Sequence, residues 1–282
     1  MSDTSPDLLR EWIGRTRTEH DELSLFPARA MAALLDRDPT VLERASPLPA
    51  GWHWLYFKPT TPQSELGRDG HPRRGGFLPP VDLPRRMWAG GRLRFTAGLH
   101  LGEPVERVSI VRDVSMKQGR SGPLVFVTVH HRVSGPAGPA CEEDQEIVYR
   151  QAPATREQTS GVQTLAESTA WHEEFTPDPV ALFRFSALTF NSHRIHYDQP
   201  YAIAEGYRDI VVHAPLIALL LLGAARRNAA GREPASFEYR AVSPLFAGLP
   251  IRLQGESVRD ERMRLWATDP AGRIAMRASA AW

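Results

Sequence analysis

The chain has 282 residues, of which 42% are hydrophobic and 24% charged, a composition typical of a globular protein with one large domain or two ordinary ones. Its formal net charge of +1 excludes a global electrostatic attraction to nucleic acid or to a membrane surface. The single cysteine, Cys141, excludes an internal disulfide and a cysteine-rich metal site, and is typical of a reducing compartment.

The first residues carry no targeting signal that we can identify. The segment MSDTSPDLLREWIGRT lacks the basic and apolar regions of a secretory signal peptide. The longest apolar run, 214–225, is too short to span a bilayer. We therefore expect a cytoplasmic protein without a transmembrane helix.

The first half is predicted to begin with helices and to end in strands. Residues 5–23 and 27–38 have the capping and apolar spacing of helices. The stretch 57–95 is rich in proline and glycine, so we expect an ordered loop there. Alternating β-branched residues then predict three strands, at 105–117, 123–135 and 141–150.

The polar segment 151–169 is the best candidate for a linker, which predicts two domains, 1–152 and 153–282. In the second, ALFRFSALTF is followed by the run APLIALLLLGAARRN (214–228), which is apolar on every side and so must be wrapped by other structure. Four strand-like segments follow, at 233–246, 249–261, 262–270 and 273–282. A buried helix followed by antiparallel strands predicts an α+β arrangement, with the sheet curled around the helix.

The segment FSALTFNSHRIHYDQPYA (185–202) concentrates the side chains that carry chemistry. It resembles the hydratase motif of the MaoC-like, R-specific enoyl-CoA hydratases, which reads roughly Ala-x-Ser/Thr-Gly-Asp-x-Asn-Pro-x-His. Without gaps, the glycine, aspartate, asparagine, proline and histidine of that motif fall on Phe190, Asn191, His193, Arg194 and His196. The family's downstream His-Gly pair falls on His213 and Ala214, again without a gap.

The variants HRIHYD and EGYRDIVVHAPL are similar to one subgroup of that family. The subgroup includes mesaconyl-C4-CoA (3-methylfumaryl-CoA) hydratase, itaconyl-CoA hydratase and mitochondrial-type 3-hydroxyacyl-thioester dehydratases. The first-half segments GGFLPPVDLPRRMWAGGRLRF, KQGRSGPLVFVTVHHRV and EEDQEIVYR also resemble it. The resemblance implies a double hotdog fold, in which two antiparallel sheets each wrap a central helix. The first hotdog would supply substrate contacts and the second the chemistry.

Hydration of an enoyl thioester needs a base for water and donors for the negative charge that develops on the thioester oxygen. The resemblance makes His196 the base, because it occupies the motif position that the subgroup leaves unchanged. Asn191 replaces the catalytic aspartate; it cannot be a base, but its amide can orient water or substrate. The backbone N–H of Ala214, at the start of a buried helix, is the candidate oxyanion donor.

Several residues keep two interpretations. His193 and His213 are either structural or substrate-binding. Arg194 either receives a substrate carboxylate as a bidentate fork or forms a structural ion pair. Asp198 is either a second acid/base or an anchor of its loop. His193 and His196 lack a third ligand at a recognisable spacing, so we expect no metal.

Further substrate contacts are expected from the first half. Arg86 and Arg92 are candidates for the substrate, and Trp88 is either a pocket wall or part of the core. Arginines that could meet the phosphates of coenzyme A, if they are not simply solvated, are Arg85, Arg86, Arg92, Arg94, Arg226 and Arg227.

The expected function is a cofactor-independent hydro-lyase that acts on an acyl-CoA thioester, with coenzyme A as part of the substrate. The preferred substrate is itaconyl-CoA or mesaconyl-C4-CoA, giving citramalyl-CoA. Two alternatives remain open: dehydration of 3-hydroxyacyl thioesters in fatty-acid synthesis, and non-catalytic acyl-CoA binding. We expect no nucleic-acid or membrane partner, and a homodimer is possible.

Overall fold

The computed structural model describes residues 6–119, 122–151, 163–165 and 168–282. Ten strands form one antiparallel sheet in the order β1-β3-β4-β5-β2-β7-β10-β9-β8-β6. The first five strands are β1 (Thr16–Glu22), β2 (Arg85–Phe95), β3 (Pro104–Gly119), β4 (Gly122–Gly135) and β5 (Gly138–Arg150). The other five are β6 (Trp171–Phe175), β7 (Ser236–Ala241), β8 (Ile251–Gly255), β9 (Arg262–Thr268) and β10 (Ile274–Ala281).

The two halves of the sheet repeat one topology. The order β1-β3-β4-β5-β2 of the first half recurs as β6-β8-β9-β10-β7 in the second, and β2 pairs with β7 where the halves meet. Glycine is required at this seam, because a Cβ atom at Gly90 would lie 2.7 Å from the backbone oxygen of Tyr239. The halves are therefore joined by main-chain hydrogen bonds into a continuous sheet.

Five α-helices accompany the sheet in the described ranges: α1 (Pro6–Arg10), α2 (Leu25–Leu34), α3 (Pro179–Thr189), α4 (Gln199–Ala204) and α5 (Ala214–Asn228). Helix α5 contacts β7, β8, β9 and β10, and nine of its fifteen residues are buried. The apolar run thus forms the buried helix that the sequence predicts. Residues of α2, α3 and α5 belong to the same hydrophobic core, which extends under both halves.

The predicted strands 105–117, 123–135 and 141–150 are confirmed as β3, β4 and β5, and the four later segments contain β7 to β10. The helix predicted at 5–23 is wrong beyond its first turns, since Thr16–Glu22 is a strand that pairs with β3. Strand pairing has overridden the local helical pattern. The loop expected at 57–95 is likewise wrong at its end, because Arg85–Phe95 is the strand β2 despite its two central glycines.

The proposed linker 151–169, and with it the boundary between the two predicted domains, lies mostly outside the described residues. Among the helices that are described, none is both long and apolar enough to cross a membrane.

Candidate active site

A cavity of about 2360 Å³ is lined by residues from both halves of the chain. His71, Arg86 and Trp88 of the first half line it, together with His193 and His196 of the motif. Ala214, the first residue of α5, also lines this cavity. The motif and the start of the buried helix therefore face one shared space.

The motif begins where α3 ends. Phe190 is the C-cap of α3 and adopts a left-handed backbone with φ 51°. Glycine favours this conformation, which explains why the family pattern has glycine at this position. The backbone N–H of Asn191 donates to the oxygen of Ser186 at 2.8 Å, and its side-chain Oδ1 accepts from the N–H of His193 at 3.0 Å. The amide of Asn191 thus holds the backbone of His193 in place.

His196 is held as a neutral base. Its Nδ1 lies 2.7 Å from the backbone oxygen of Val211. Because a carbonyl oxygen only accepts hydrogen bonds, Nδ1 carries the hydrogen and Nε2 keeps its lone pair. Burial lowers the pKa of His196 to about 4, so the imidazole is unprotonated at neutral pH.

His213 supports His196 from the helix side. It is the N-cap of α5, is fully buried, and stacks on His196 with ring centroids 3.7 Å apart. Its Nε2 lies 2.9 Å from Oγ of Ser186, and burial holds its pKa well below the usual value. These contacts are those of the structural interpretation of His213, in which its ring holds the ring of His196 in place.

Ala214 is the first residue of α5, and Pro215 follows it. The N–H groups of a first helical turn have no acceptor within the helix, and the helix dipole favours a negative charge beside them. Proline at this point costs nothing, because its missing N–H would have had no helical partner. Ala214 lines the cavity, and its role as the oxyanion donor stays a prediction.

The histidines form a row that continues into the first half. His193 lies between His196 and His71, with ring-centroid distances of 5.5 Å and 4.1 Å respectively. At the far end, Oδ2 of Asp69 lies 3.0 Å from Nδ1 of His71. Burial, assisted by the charge of His71, lowers the pKa of His193 to about 2. Asp69 and His71 were not anticipated from the sequence; a carboxylate two residues before a histidine in RDGH was the available signal.

The Asp69–His71 turn is docked on the motif by its backbone. The N–H of Arg194 donates to the oxygen of Asp69 at 3.0 Å, and Oγ of Ser192 donates to the oxygen of Gly70 at 2.5 Å. Gly70 has φ +87°, and a Cβ atom there would lie 1.9 Å from the oxygen of Ser192. Only glycine fits this contact, so the turn is built to meet the motif.

The comparisons with known proteins agree with this geometry. A family model described as "Hydroxyacyl-thioester dehydratase type 2" matches residues 51–247, which contain the histidine row and most of the residues that line the cavity. The chain belongs to the hydroxyacyl-thioester dehydratase type 2 family.

Two curated relatives share at least 30% identity with the chain. The chain is 46% identical over 269 residues to "Mesaconyl-C(4)-CoA hydratase" of Chloroflexus aurantiacus, covering 95% of each chain. It is 30% identical over 242 residues to the mitochondrial "Hydroxyacyl-thioester dehydratase type 2" of Schizosaccharomyces pombe, covering 76% of this chain and 79% of the relative.

Solved structures show the same fold. A "MaoC-like dehydratase" superposes with a TM-score of 0.71 at 12% identity, covering 97% of this chain and 99% of the other. A Mycobacterium tuberculosis protein described as having a double hotdog fold superposes with a TM-score of 0.60 at 13% identity, covering 95% and 96%. The expected double hotdog is thereby confirmed, with the two sheets fused into one.

Three arginines were predicted to contact the substrate: Arg86, Arg92 and Arg194. Of these, only Arg86 lines the cavity. Arg92 is exposed and pairs with Glu238 at 3.3 Å, away from the cavity lining. Arg194 pairs with Asp198, with Nη2 2.6 Å from Oδ2, and Asp198 also caps α4. The structure thus favours the interpretation of Arg194 and Asp198 as a loop-holding ion pair.

The arginines considered for the coenzyme A phosphates lie in different settings. Arg85 is buried and pairs with Glu205 at 3.5 Å. Arg226 pairs with Glu233 and Arg227 with Glu173. Arg94 is exposed on β2. Trp88 is half-buried in the cavity wall and meets Trp54 edge to face at 4.9 Å.

Within the described residues, one group of side chains could hold a metal ion. It consists of Asp69, His71 and His193, whose ligand atoms all lie within 4.8 Å of one another. Asp69 and His71, however, already satisfy each other, since a hydrogen bond of 3.0 Å joins Oδ2 to Nδ1. The guanidinium of Arg86 also acts electrostatically on His71 and His193. A nearby cation disfavours a metal ion beside this Asp69–His71 dyad.

Proposed function

We propose that the protein is an enoyl-CoA hydratase that adds water to a short dicarboxyl enoyl-CoA. Itaconyl-CoA or mesaconyl-C4-CoA would give citramalyl-CoA. One observation carries the proposal: a neutral imidazole with a free Nε2 lone pair, His196, and the start of a buried helix, Ala214, face the same cavity. The printed name of the 46% identical relative supports the same reaction.

In the proposed reaction with mesaconyl-C4-CoA, whose double bond is conjugated to the thioester, Nε2 of His196 takes a proton from water as the oxygen attacks Cβ. The π electrons of the double bond move towards the thioester oxygen, where the N–H of Ala214 stabilises the negative charge. Protonation of Cα then completes the addition. No cofactor is needed, because the thioester itself accepts the electrons and coenzyme A belongs to the substrate.

The preference for a second carboxylate rests on Arg86. Its guanidinium lies in the cavity wall, acts electrostatically on His71 and His193, and hydrogen-bonds Tyr149. A planar guanidinium can bind a carboxylate through two parallel hydrogen bonds, and the low dielectric of a cavity strengthens them. Arg86 thus replaces Arg194 as the proposed contact for the distal carboxylate.

The test is to incubate the purified protein with crotonyl-CoA, mesaconyl-C4-CoA and itaconyl-CoA and to follow substrate loss and product formation by chromatography of the CoA thioesters. Preferential loss of the dicarboxyl substrates, with citramalyl-CoA as product, is the expected result. Hydration of crotonyl-CoA alone would contradict the dicarboxyl preference. An absence of turnover with all three would favour the alternative of a non-catalytic acyl-CoA-binding protein.

A second candidate function is the dehydration of longer 3-hydroxyacyl thioesters. The description of the matching family and the 30% identical relative from Schizosaccharomyces pombe favour it. Faster turnover of 3-hydroxyoctanoyl-CoA than of citramalyl-CoA would support this function over the first.

A further inference from the structure

The family motif pairs a carboxylate with a histidine, and this chain has no carboxylate at that position. Asn191 occupies it, and its amide oxygen binds the N–H of His193. A carboxylate that acts electrostatically on the motif residue His193 comes instead from Asp69, on the first-half turn that docks on the motif. Asp69 binds His71, whose ring lies 4.1 Å from that of His193. The first half thus brings a carboxylate–histidine pair to the place where the second half lacks one.

We propose that His71 is the acid that protonates Cα of the substrate, and that Asp69 positions and stabilises it. This proposal rests on the hydratase function proposed above. It makes His71 a catalytic residue, since its Nε2 would contact the reacting carbon. Asp69 is a positioning residue, which acts through Nδ1 of His71.

His196 and His71, the two ends of the histidine row, have different surroundings. This difference assigns their roles. His196 has only the carbonyl of Val211 beside Nδ1, so a positive charge on its ring is not neutralised. His71 has the Asp69 carboxylate at 3.0 Å, so a proton on the row is best accommodated there. Two titratable groups whose environments separate their proton affinities form an acid and a base. His196 is thus the base and His71 the acid.

The charged and titratable groups that face His71 are Asp69, Arg86, Arg74 and His193. Burial and Arg86 lower the pKa of His71 below its ordinary value, and Asp69 offsets part of this lowering. His71 acts in turn on Asp69. Burial is the largest single effect and favours the neutral acid, but the hydrogen bonds and the charge of His71 together outweigh it and hold the pKa of Asp69 below its usual range. The carboxylate is therefore ionised when the imidazole takes up its proton.

The step balances in atoms and electrons. One O–H bond of water breaks and its proton goes to Nε2 of His196, while the oxygen forms a bond to Cβ. The π electrons move to the thioester oxygen beside Ala214, giving an enolate. The enolate then returns its electrons to Cα, which takes the proton from Nε2 of His71. Solvent afterwards removes the proton from His196 and restores the one on His71.

The variants that test this are His71→Gln and Asp69→Asn. Asparagine keeps an oxygen for the backbone N–H of His71, which Oδ1 of Asp69 accepts at 3.0 Å, so the turn is preserved. The matched control is the other His–Asp pair His130–Asp144, with Nδ1 2.8 Å from Oδ1 and outside the cavity lining. His130→Gln and Asp144→Asn should leave kcat unchanged.

We expect His71→Gln to lower kcat by about 100- to 10,000-fold, with a much smaller change in KM. Asp69→Asn should lower kcat less and move the alkaline limb of its pH profile to lower pH, because the imidazolium loses its counter-ion. A His71→Gln variant with unchanged kcat, or an unshifted alkaline limb in Asp69→Asn, overturns the proposal. Circular dichroism checks that each variant is folded. If His71→Gln does not fold, the position of the alkaline limb in the pH profile of Asp69→Asn tests the proposal.

A second measurement separates the acid from the base. Butyryl-CoA or succinyl-CoA in D₂O has an exchangeable Cα–H but no hydroxyl to lose, and NMR follows its deuteration. His196→Gln should retain this exchange, whereas His71→Gln should lose it; the reverse pattern overturns the assignment.

If the wild type hydrates none of the three enoyl thioesters, the proposed function fails and the dyad role with it. If one zinc ion per chain copurified with the protein and a chelator abolished activity, the dyad would be overturned in favour of a metal site.

Discussion

His196 and His213 lie face to face, with ring centroids 3.7 Å apart and planes inclined by 20°. Two imidazolium ions cannot occupy such a stack, so at most one ring of the pair is charged. Each ring has its own anchor, Val211 for His196 and Ser186 for His213. The stack therefore joins the proposed base to the start of α5 and fixes its distance from the proposed oxyanion donor.

Removal of the base should stop hydration without unfolding the protein. We expect His196→Ala to lower kcat by about two to four orders of magnitude, since Nε2 would no longer accept a proton. The measurement is the steady-state rate with the best of the three enoyl thioesters. His172→Ala, at an exposed position of β6, is the control. A folded His196→Ala variant that retains most of its activity would remove His196 from the mechanism.

Asn191 should act through its amide oxygen and not through ionisation. Asn191→Ala removes the acceptor for the N–H of His193, a contact of about 1 kcal/mol, and should lower kcat/KM by roughly fivefold or more. Asn191→Asp keeps an acceptor and should be tolerated better. Wild-type kcat/KM in the alanine variant would show that the amide is dispensable.

Substrate choice should depend on Arg86. Arg86→Gln is expected to reduce kcat/KM for mesaconyl-C4-CoA or itaconyl-CoA far more than for crotonyl-CoA, by roughly thirty- to thousandfold, because a charge-assisted bidentate contact is lost. Arg92→Gln, outside the cavity lining, is the matched control. Arg194→Gln should affect all substrates equally, because its partner is Asp198. A selective loss in Arg194→Gln would return the carboxylate contact to that residue.

Activity should persist well into the acidic range. Because burial lowers the pKa of His196 to about 4, the base stays unprotonated as pH falls from 7 towards 4. The acidic limb of kcat/KM should therefore lie near pH 4 and not near the ordinary histidine value of about 6.5. An acidic limb above pH 6 would mean that another group carries the proton.

The free energy of unfolding should decrease as the pH falls from about 6.5 towards 4. Burial lowers the pKa of His131 to about 4, so between pH 6.5 and 4 the unfolded chain binds a proton that the folded chain does not. The free energy of unfolding then rises with pH, by about 1.4 kcal/mol per pH unit for each such histidine. Urea unfolding at several pH values measures the slope, and His131→Gln should reduce it. An identical slope in the variant would contradict the lowered pKa.

Local sequence patterns determined much of the second half. The all-apolar run 214–228 had to be enclosed, and alternation along 233–282 required strands; burial of apolar surface enforces both. The motif spacing placed His196, Asn191 and Ala214 in one site, because α3, the following turn and α5 are close along the chain. The αL position of Phe190 also follows from its alignment with a motif glycine.

Contacts between residues distant in sequence were decided only by the tertiary structure. Thr16–Glu22 became a strand because β3 offered it hydrogen bonds, and Arg85–Phe95 did so because β5 and β7 flank it. Asp69 and His71 reach the motif across more than a hundred residues, through a glycine turn whose backbone meets Ser192. Arg194 is next to His193 in sequence, yet its guanidinium is directed to Asp198. Sequence spacing specifies which side chains are near along the chain, whereas packing and main-chain hydrogen bonding between the halves decide which of them face the cavity.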